Sequence, residues 1–235
     1  MNVPTLRFPE FSGAWKEKRL GDLVDPKRKI TYGIVQPGEF VAEGVLLVRG
    51  GDYSDGWIST SEIKRVTVEI DKPYRRSKLK SGDLLLTIVG ANTGNVAVVP
   101  SHLEDANITQ TTARIAIDRQ MASSTYVEQI LKSRAGKKEV YSYIKGAAQP
   151  GLNLTDVVKF RFLAPTLPEQ RKIAEFLGAV DARVALLGRR REALRGYKKG
   201  MMQRLFSQRL RFTKPDGSPT MRAILMSRLA AAPDI

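Results

Sequence analysis

The sequence predicts an α+β protein: a mixed α/β domain over residues 1–165, then a long coiled-coil-forming helix. Three observations predict it. Short apolar runs broken by glycine turns fill the first two thirds of the chain. A helix-start signature stands at Thr166-Leu167-Pro168-Glu169. From there apolar residues recur at alternating spacings of four and three as far as Leu205.

Within the first domain, Val45-Leu46-Leu47-Val48 reads as a strand stopped by Gly50-Gly51. Asp55-Gly56 is a tight-turn dipeptide leading into Trp57-Ile58, a hairpin signal. Leu84-Leu85-Leu86-Thr87-Ile88-Val89 is a buried strand entered through Ser81-Gly82-Asp83, and Gly90 to Gly94 is a turn into the next strand, Val96-Ala97-Val98-Val99. Thr112 to Ile117 alternates like a strand, and residues 126–143 turn helical, with Val127, Ile130, Leu131 and Val140 apolar among charges.

At the boundary, Thr166 can cap, Pro168 fits the first turn, and Glu169 completes a T-x-x-E capping box. The seam that follows is Ile173, Leu177, Val180, Val184, Leu187, Arg191, Leu194, Lys198, Met201 and Leu205. It holds an a/d pattern for more than four heptads, the mark of a coiled coil. One helix over 168–206 spans about 58 Å at 1.5 Å per residue, too long to be covered by a domain of this size, so it calls for a partner helix. Arg191 and Lys198 either snorkel and weaken the coil or fix register against a particular partner. Gly188, Gly196 and Gly200 each cost about 1 kcal/mol in a helix interior but let another backbone approach closely. Residues 207–235 form a C-terminal tail.

Charge narrows the function. Lys and Arg number 39 against 24 acids, a formal +15 with pI near 10.1. Residues 161–212 alone hold 13 basic and 4 acidic groups, whereas residues 1–160 hold 23 and 18. Such a field favours polyanions, nucleic acid first. No apolar run approaches the roughly 18–20 residues of a membrane span, and Met1 to Phe11 carries prolines and an acid where a signal peptide is apolar. A cytoplasmic address is expected. There is no cysteine, which excludes disulfides, zinc ribbons and thiol nucleophiles.

A search for catalytic motifs finds none. There is no G-x-x-x-x-G-K-[ST] loop and no G-x-S-x-G elbow. The single histidine, His102, follows a strand-ending proline. The Asn/Asp-Pro-Pro-aromatic motif of amino-methylating enzymes is absent. One pattern suggests chemistry: Asp52 or Asp55 followed by Glu62-Ile63-Lys64, an arrangement that metal-dependent nucleases use to hold a cation beside a nucleophilic water. That reading is the alternative to a binding protein, and it requires a metal. The binding reading requires no metal and no cofactor.

Leu167-Pro168-Glu169-Gln170-Arg171-Lys172-Ile173-Ala174-Glu175-Phe176-Leu177, leading into a basic helix that ends near Gln203-Arg204-Leu205-Phe206, resembles the conserved region of specificity subunits of type I restriction-modification systems. Leu6-Arg7-Phe8-Pro9-Glu10-Phe11, Trp15 and Arg19-Leu20-Gly21-Asp22 resemble the opening of their target recognition domains. Val48-Arg49-Gly50-Gly51-Asp52, Ser81 to Leu86 and Gly146-Ala147-Ala148-Gln149 are similar to further family segments. The resemblance implies a non-catalytic reader of double-stranded DNA. Its partners would be an adenine-methylating modification subunit, which brings the S-adenosylmethionine, and a restriction subunit that translocates DNA. It also implies two recognition domains with two antiparallel helices as spacer. This sequence shows one of each, so a homodimer, or pairing with a second half-subunit, is expected. Thr220 to Ile235 has no counterpart in that pattern.

The candidate DNA contacts are polar residues in the predicted turns. Arg49 suits a guanine edge or a phosphate, and Asn92 and Gln149 suit adenine. Thr93, Gln110 and Lys145 stand in further polar turns. Competing structural roles are an Arg49–Asp52 pair and a strand end satisfied by Gln110.

Overall fold

Because side chains alternate across a strand, a run that is apolar at every position needs a core on both faces. Leu84, Leu85, Leu86 and Thr87 meet that requirement, being buried throughout. Leu84 and Leu86 enter one core with Ile115, Val127, Leu131 and Phe160. Leu85 enters a second core with Val48, Leu79, Leu103 and Ile108.

The computed structural model describes residues 4–146, 150–207 and 209. Among these the elements are β1 (Lys16–Arg19), β2 (Thr31–Tyr32), β3 (Val45–Val48), β4 (Arg65–Val66), α1 (Val68–Asp71), β5 (Leu84–Thr87), β6 (Val96–Val98), β7 (Asn107–Ile108), β8 (Thr112–Ile115), α2 (Ser124–Lys132), α3 (Arg134–Ser142), α4 (Leu154–Val157), β9 (Arg161–Ala164) and α5 (Leu167–Phe206). Strand β1 pairs antiparallel with β9. A four-stranded sheet runs β2-β8-β5-β6, and a three-stranded one runs β4-β3-β7 with β3 and β7 parallel. None of the described helices is long and apolar enough to cross a membrane.

Three local expectations need correction. The Asp55-Gly56 turn starts no hairpin: Trp57 and Ile58 lie outside any strand, and Trp57 instead packs on the second core and donates its indole N–H to the Val98 carbonyl (3.1 Å). The helical stretch over 126–143 is two helices. Ser133 divides them, its hydroxyl donating to the Ile130 carbonyl (2.6 Å) and accepting from the Gly136 amide (3.1 Å). The polar positions of β8 do not face water either: Arg114 is 2% exposed, and its guanidinium is bound by the carbonyls of Lys29 (3.1 Å) and Arg76 (2.8 Å).

The capping box at the start of α5 is also replaced. Both oxygens of the buried Glu169 carboxylate are taken by the N-terminal segment. Arg7 donates to them twice, from Nε and Nη2 at 2.7 Å each, and the Trp15 indole N–H adds a third bond at 3.3 Å. Gln170 does the same for another part of the chain: its side-chain carbonyl accepts from the Ser123 amide (3.1 Å) and its NH2 donates to the Pro165 carbonyl (3.0 Å). The first turn of α5 is thus fastened by side chains to segments far away in sequence.

The chain divides into two compact units, 1–177 and 178–235. In the first, Ile173 packs against the main core. In the second, α5 continues to Phe206, with Val184 (62%), Leu187 (49%) and Leu194 (59%) open to solvent. Beyond 207 and 209, the tail lies outside the described residues.

Two substitutions test this account of the fold. Glu169→Gln removes the charge that Arg7 and Trp15 converge on, so the thermal midpoint should fall by several degrees and the Trp15 fluorescence should shift. Gly33→Ala should be far more damaging, because a Cβ at Gly33 would stand 1.8 Å from the Ile108 carbonyl oxygen, in the backbone of a buried strand. The expected result is loss of the cooperative melting transition.

Candidate nucleic-acid interface

Four chain segments meet at one end of the sheets, and their hydrogen bonds show how. Strand β3 delivers Arg49, and the Val48 carbonyl accepts from the Thr109 amide just past β7. The Thr111 carbonyl accepts from the Ile88 amide just past β5 (2.8 Å). The loop after β5 is held in turn by Gly90, whose amide donates to the Pro150 carbonyl (3.1 Å). Lys145 and Gly151 exchange two backbone bonds of 2.9 Å, closing the fourth segment. Beneath them the Tyr53 hydroxyl and Thr87 share a buried hydrogen bond of 2.8 Å, and burial pushes the Tyr53 phenol up to about 12. A Cβ on Gly50 would come within 2.7 Å of the Thr87 side chain, so only glycine lets the Arg49 turn lie this close to β5.

The expected contact residues occupy this edge in different ways. Arg49 makes the pair with Asp52 that competes with a DNA role (3.1 Å), and the same carboxylate accepts from the Arg49 amide (2.8 Å). Its side chain is still 40% exposed, although Nε is buried, and Cζ stands 5.9 Å from the centre of the Phe40 ring. Lys64 approaches that ring at the same distance. Phe40 is an exposed aromatic between two cations that sequence reasoning missed, since a lone Phe in a loop gives no periodic signal. Asn92 lies beside Gly51: a Cβ there would be 4.0 Å from its amide nitrogen. Gln110 is exposed, and its backbone N–H is satisfied by the Ile34 carbonyl (2.9 Å), leaving the side chain without a partner among the described residues.

Thr93 differs from these. It is buried, and its hydroxyl is directed at the carbonyls of Gly90 (2.6 Å) and Pro150 (3.1 Å), so it ties two loops together. Lys145 is exposed and pairs with Asp156 (3.2 Å). Lysines 159 and 145 hydrogen-bond that carboxylate and hold it below the usual carboxylate range. Gln149 lies outside the described residues. Arg49, Asn92, Thr93, Gln110 and Lys145 therefore share one edge, and of the five only Thr93 has its side chain bonded to the backbone framework among the described residues.

The metal-nuclease alternative gains no support. The Asp52 carboxylate is occupied by Arg49, Glu62 accepts from the Ser59 amide (3.2 Å), and no group of three or more His, Cys, Asp or Glu able to hold a metal occurs among the described residues. Glu62 and Lys64 also precede the two-residue strand Arg65–Val66 rather than standing on a strand beside Asp52.

On α5, Val180, Val184, Leu187, Arg191, Leu194 and Lys198 are exposed, while Ile173, Leu177, Met201 and Leu205 are half-buried. Phe176, Leu186, Tyr197, Met202 and Phe206 add exposed apolar surface beyond the seam. Arg191 turns to the neighbouring Glu192 (3.3 Å).

This combination, a mixed α/β domain followed in the chain by a long helix, is the fold of type I restriction-modification specificity subunits. The S subunit of M. genitalium shares it at a TM-score of 0.57 and 18% identity, over 88% of this chain and 49% of that one. The HsdS subunit of Thermoanaerobacter tengcongensis does so at 0.56 and 20%, over 86% and 50%. The family model described as type I restriction modification DNA specificity domain matches residues 13–195, and the chain belongs to that family. The EcoBI specificity subunit of Escherichia coli is 31% identical over 159 residues, 68% of this chain and 33% of that protein. The MjaVIII specificity subunit of Methanocaldococcus jannaschii is 22% identical over 206 residues, 86% and 48%. The chain therefore spans from a third to about half the length of these relatives.

If this edge reads bases, Arg49→Ala should alter which duplex is preferred, while Lys145→Ala should weaken all duplexes alike. Selection from a random duplex library at fixed salt measures both. An unchanged preference for Arg49→Ala would remove it from the reading set.

Proposed function

We propose that this chain is a sequence-specific, non-catalytic DNA-binding component of a cytoplasmic type I restriction-modification complex. It binds double-stranded DNA and directs a modification subunit to adenine. That subunit supplies the S-adenosylmethionine, and a restriction subunit that translocates DNA is a further partner. The observation that carries this reading is family membership over 13–195, embracing both the domain with the polar loop edge and the helix with the open apolar seam.

An exposed stripe of Val184, Leu187 and Leu194 favours a second helix over water. We propose that two copies pair antiparallel through 168–206. A two-fold axis would then place identical reading edges in opposite orientations on the duplex. Identical readers facing opposite ways prefer an inverted repeat around an unread spacer.

Methylome sequencing of cells carrying the chain and its partner methyltransferase should show two identical half-sites. An asymmetric site would mean that a different half-subunit completes the reader. Leu187→Asp with Leu194→Asp should give monomers in sedimentation, and a wild-type chain that sediments as a monomer at micromolar concentration contradicts the homodimer.

A further inference from the structure

The candidate contacts stand on the loop edge, but a further concentration of positive charge on the first unit lies elsewhere. Residues 26–31 and 75–80 form the walls of a cleft of about 620 Å³. Arg114 fastens the walls together, donating to the carbonyls of Arg28 and Lys29 on one side and of Arg76 on the other. Arg28 adds a second fastening, bidentate to Asp83 at 2.6 and 2.7 Å and bound to the Lys78 carbonyl (3.2 Å). Lys78 pairs with Asp71 (2.7 Å). The Asp83 and Asp71 carboxylates are thus occupied by residues that build the walls.

What remains is unbalanced. Lys27, Lys29, Arg75, Arg76 and Lys80 are exposed on the cleft with no acidic partner among the described residues, and Asp105 is the one acid among the lining residues. Beneath them Arg114 is a nearly fully buried cation with no carboxylate on its guanidinium and no acceptor for its Nε. Burial, and then the nearby Arg28 charge, lower its proton affinity, and the Asp83 and Asp25 charges offset this only in part. Like charges gathered around a buried cation raise the energy of the empty cleft, and an anion relieves it.

We propose that this cleft binds a backbone phosphate of the DNA duplex, positioning the protein without reading sequence. The assignment rests on the DNA-binding function proposed above. Position supports it: Thr31 of β2 lines the cleft, and three residues further along the chain, past the end of that strand, the Ile34 carbonyl receives the Gln110 amide. Three residues of chain, at most about 3.3–3.6 Å each, keep the cleft within roughly 10 Å of the backbone that holds Gln110. A major groove is about 12 Å wide, so a duplex whose base edges meet Gln110 presents a flanking strand to the cleft. Exposed arginines and lysines around a half-open cleft match the backbone contacts that fix register in protein–DNA complexes.

The test is duplex binding by the full-length chain across a salt series, comparing wild type with Arg75→Ala/Arg76→Ala. Both side chains are exposed, and the Arg76 carbonyl that holds Arg114 is retained. The slope of log affinity against log salt should become shallower by about 1 for each phosphate no longer neutralised. Affinity for the selected duplex and for random duplexes should fall by the same factor, with sequence preference unchanged. Lys29→Ala/Lys80→Ala should give the same readout and serves if the arginine pair fails to fold. An unchanged slope with normal wild-type binding overturns the cleft alone, as does a changed sequence preference. Loss confined to structured RNA would also overturn it. A wild-type chain that binds no duplex overturns the cleft and the DNA-binding function together.

Discussion

A buried carboxylate is tolerated only when its charge is matched and its oxygens are bonded, and in this protein that requirement falls on Glu169. Arg7 and Trp15 satisfy it from the other end of the chain. The constraint extends outward from there. Trp15 packs edge-on to Tyr126 with ring centres 6.4 Å apart, and the Tyr126 hydroxyl donates to the Leu163 carbonyl in β9 (2.9 Å). Burial, reinforced by the Glu169 charge, raises the Tyr126 phenol well above its ordinary value, which keeps it a neutral donor. Gln170 completes the set by holding Ser123 at the start of α2. Two adjacent side chains thus anchor the first turn of α5 within the first unit, and they are the E and Q of the L-P-E-Q segment.

A similar division of labour governs the loop edge. Its framework is closed by buried or backbone groups: Thr87 with Tyr53, Thr93 with Gly90 and Pro150, and Ile88 with Thr111. Side chains such as Asn92 and Gln110 stand on that framework without contributing to it. Such positions can change identity at little cost to folding, because surface substitutions away from caps, cores and buried pairs disturb stability little. The same reasoning separates the cleft cations from the buried Arg114. The exposed residues can be neutralised one by one, whereas Arg114 holds the walls.

The fold class and the long helix were legible because periodicity reports them directly: the doubly apolar run at Leu84–Leu86 and the four-three spacing from Ile173 to Leu205 each have one structural reading. Glu169 was legible as a helix-start residue but not as an ion-pair partner, because a capping box is local and Arg7 lies 162 residues away. Arg114 sits in an alternating strand pattern that normally sends polar residues to water, and only the second core and the Arg28 and Arg76 segments explain its burial. The loop edge was partly legible: glycine turns marked where Arg49 and Asn92 stand, yet nothing in the sequence placed Phe40 beside Arg49. The free cations of the cleft were visible as Lys27-Arg28-Lys29 and Arg75-Arg76, but a run of charge does not reveal which members are already paired.

If Glu169 and Gln170 fix the start of α5, and the helix then pairs with a second copy, the helix length sets the spacing between two reading edges. Deleting residues 181–187 removes one heptad, preserves the seam, leaves the Glu169 and Gln170 contacts in place and shortens the helix by about 10.5 Å. Along B-form DNA that is roughly three base pairs at about 3.4 Å each. The most direct measurement is the map of methylated sites made with the partner methyltransferase, for wild type and for this deletion. Unchanged half-sites brought about three base pairs closer are the predicted result, and an unchanged spacer in a folded, active deletion variant would contradict the helix as the spacing element.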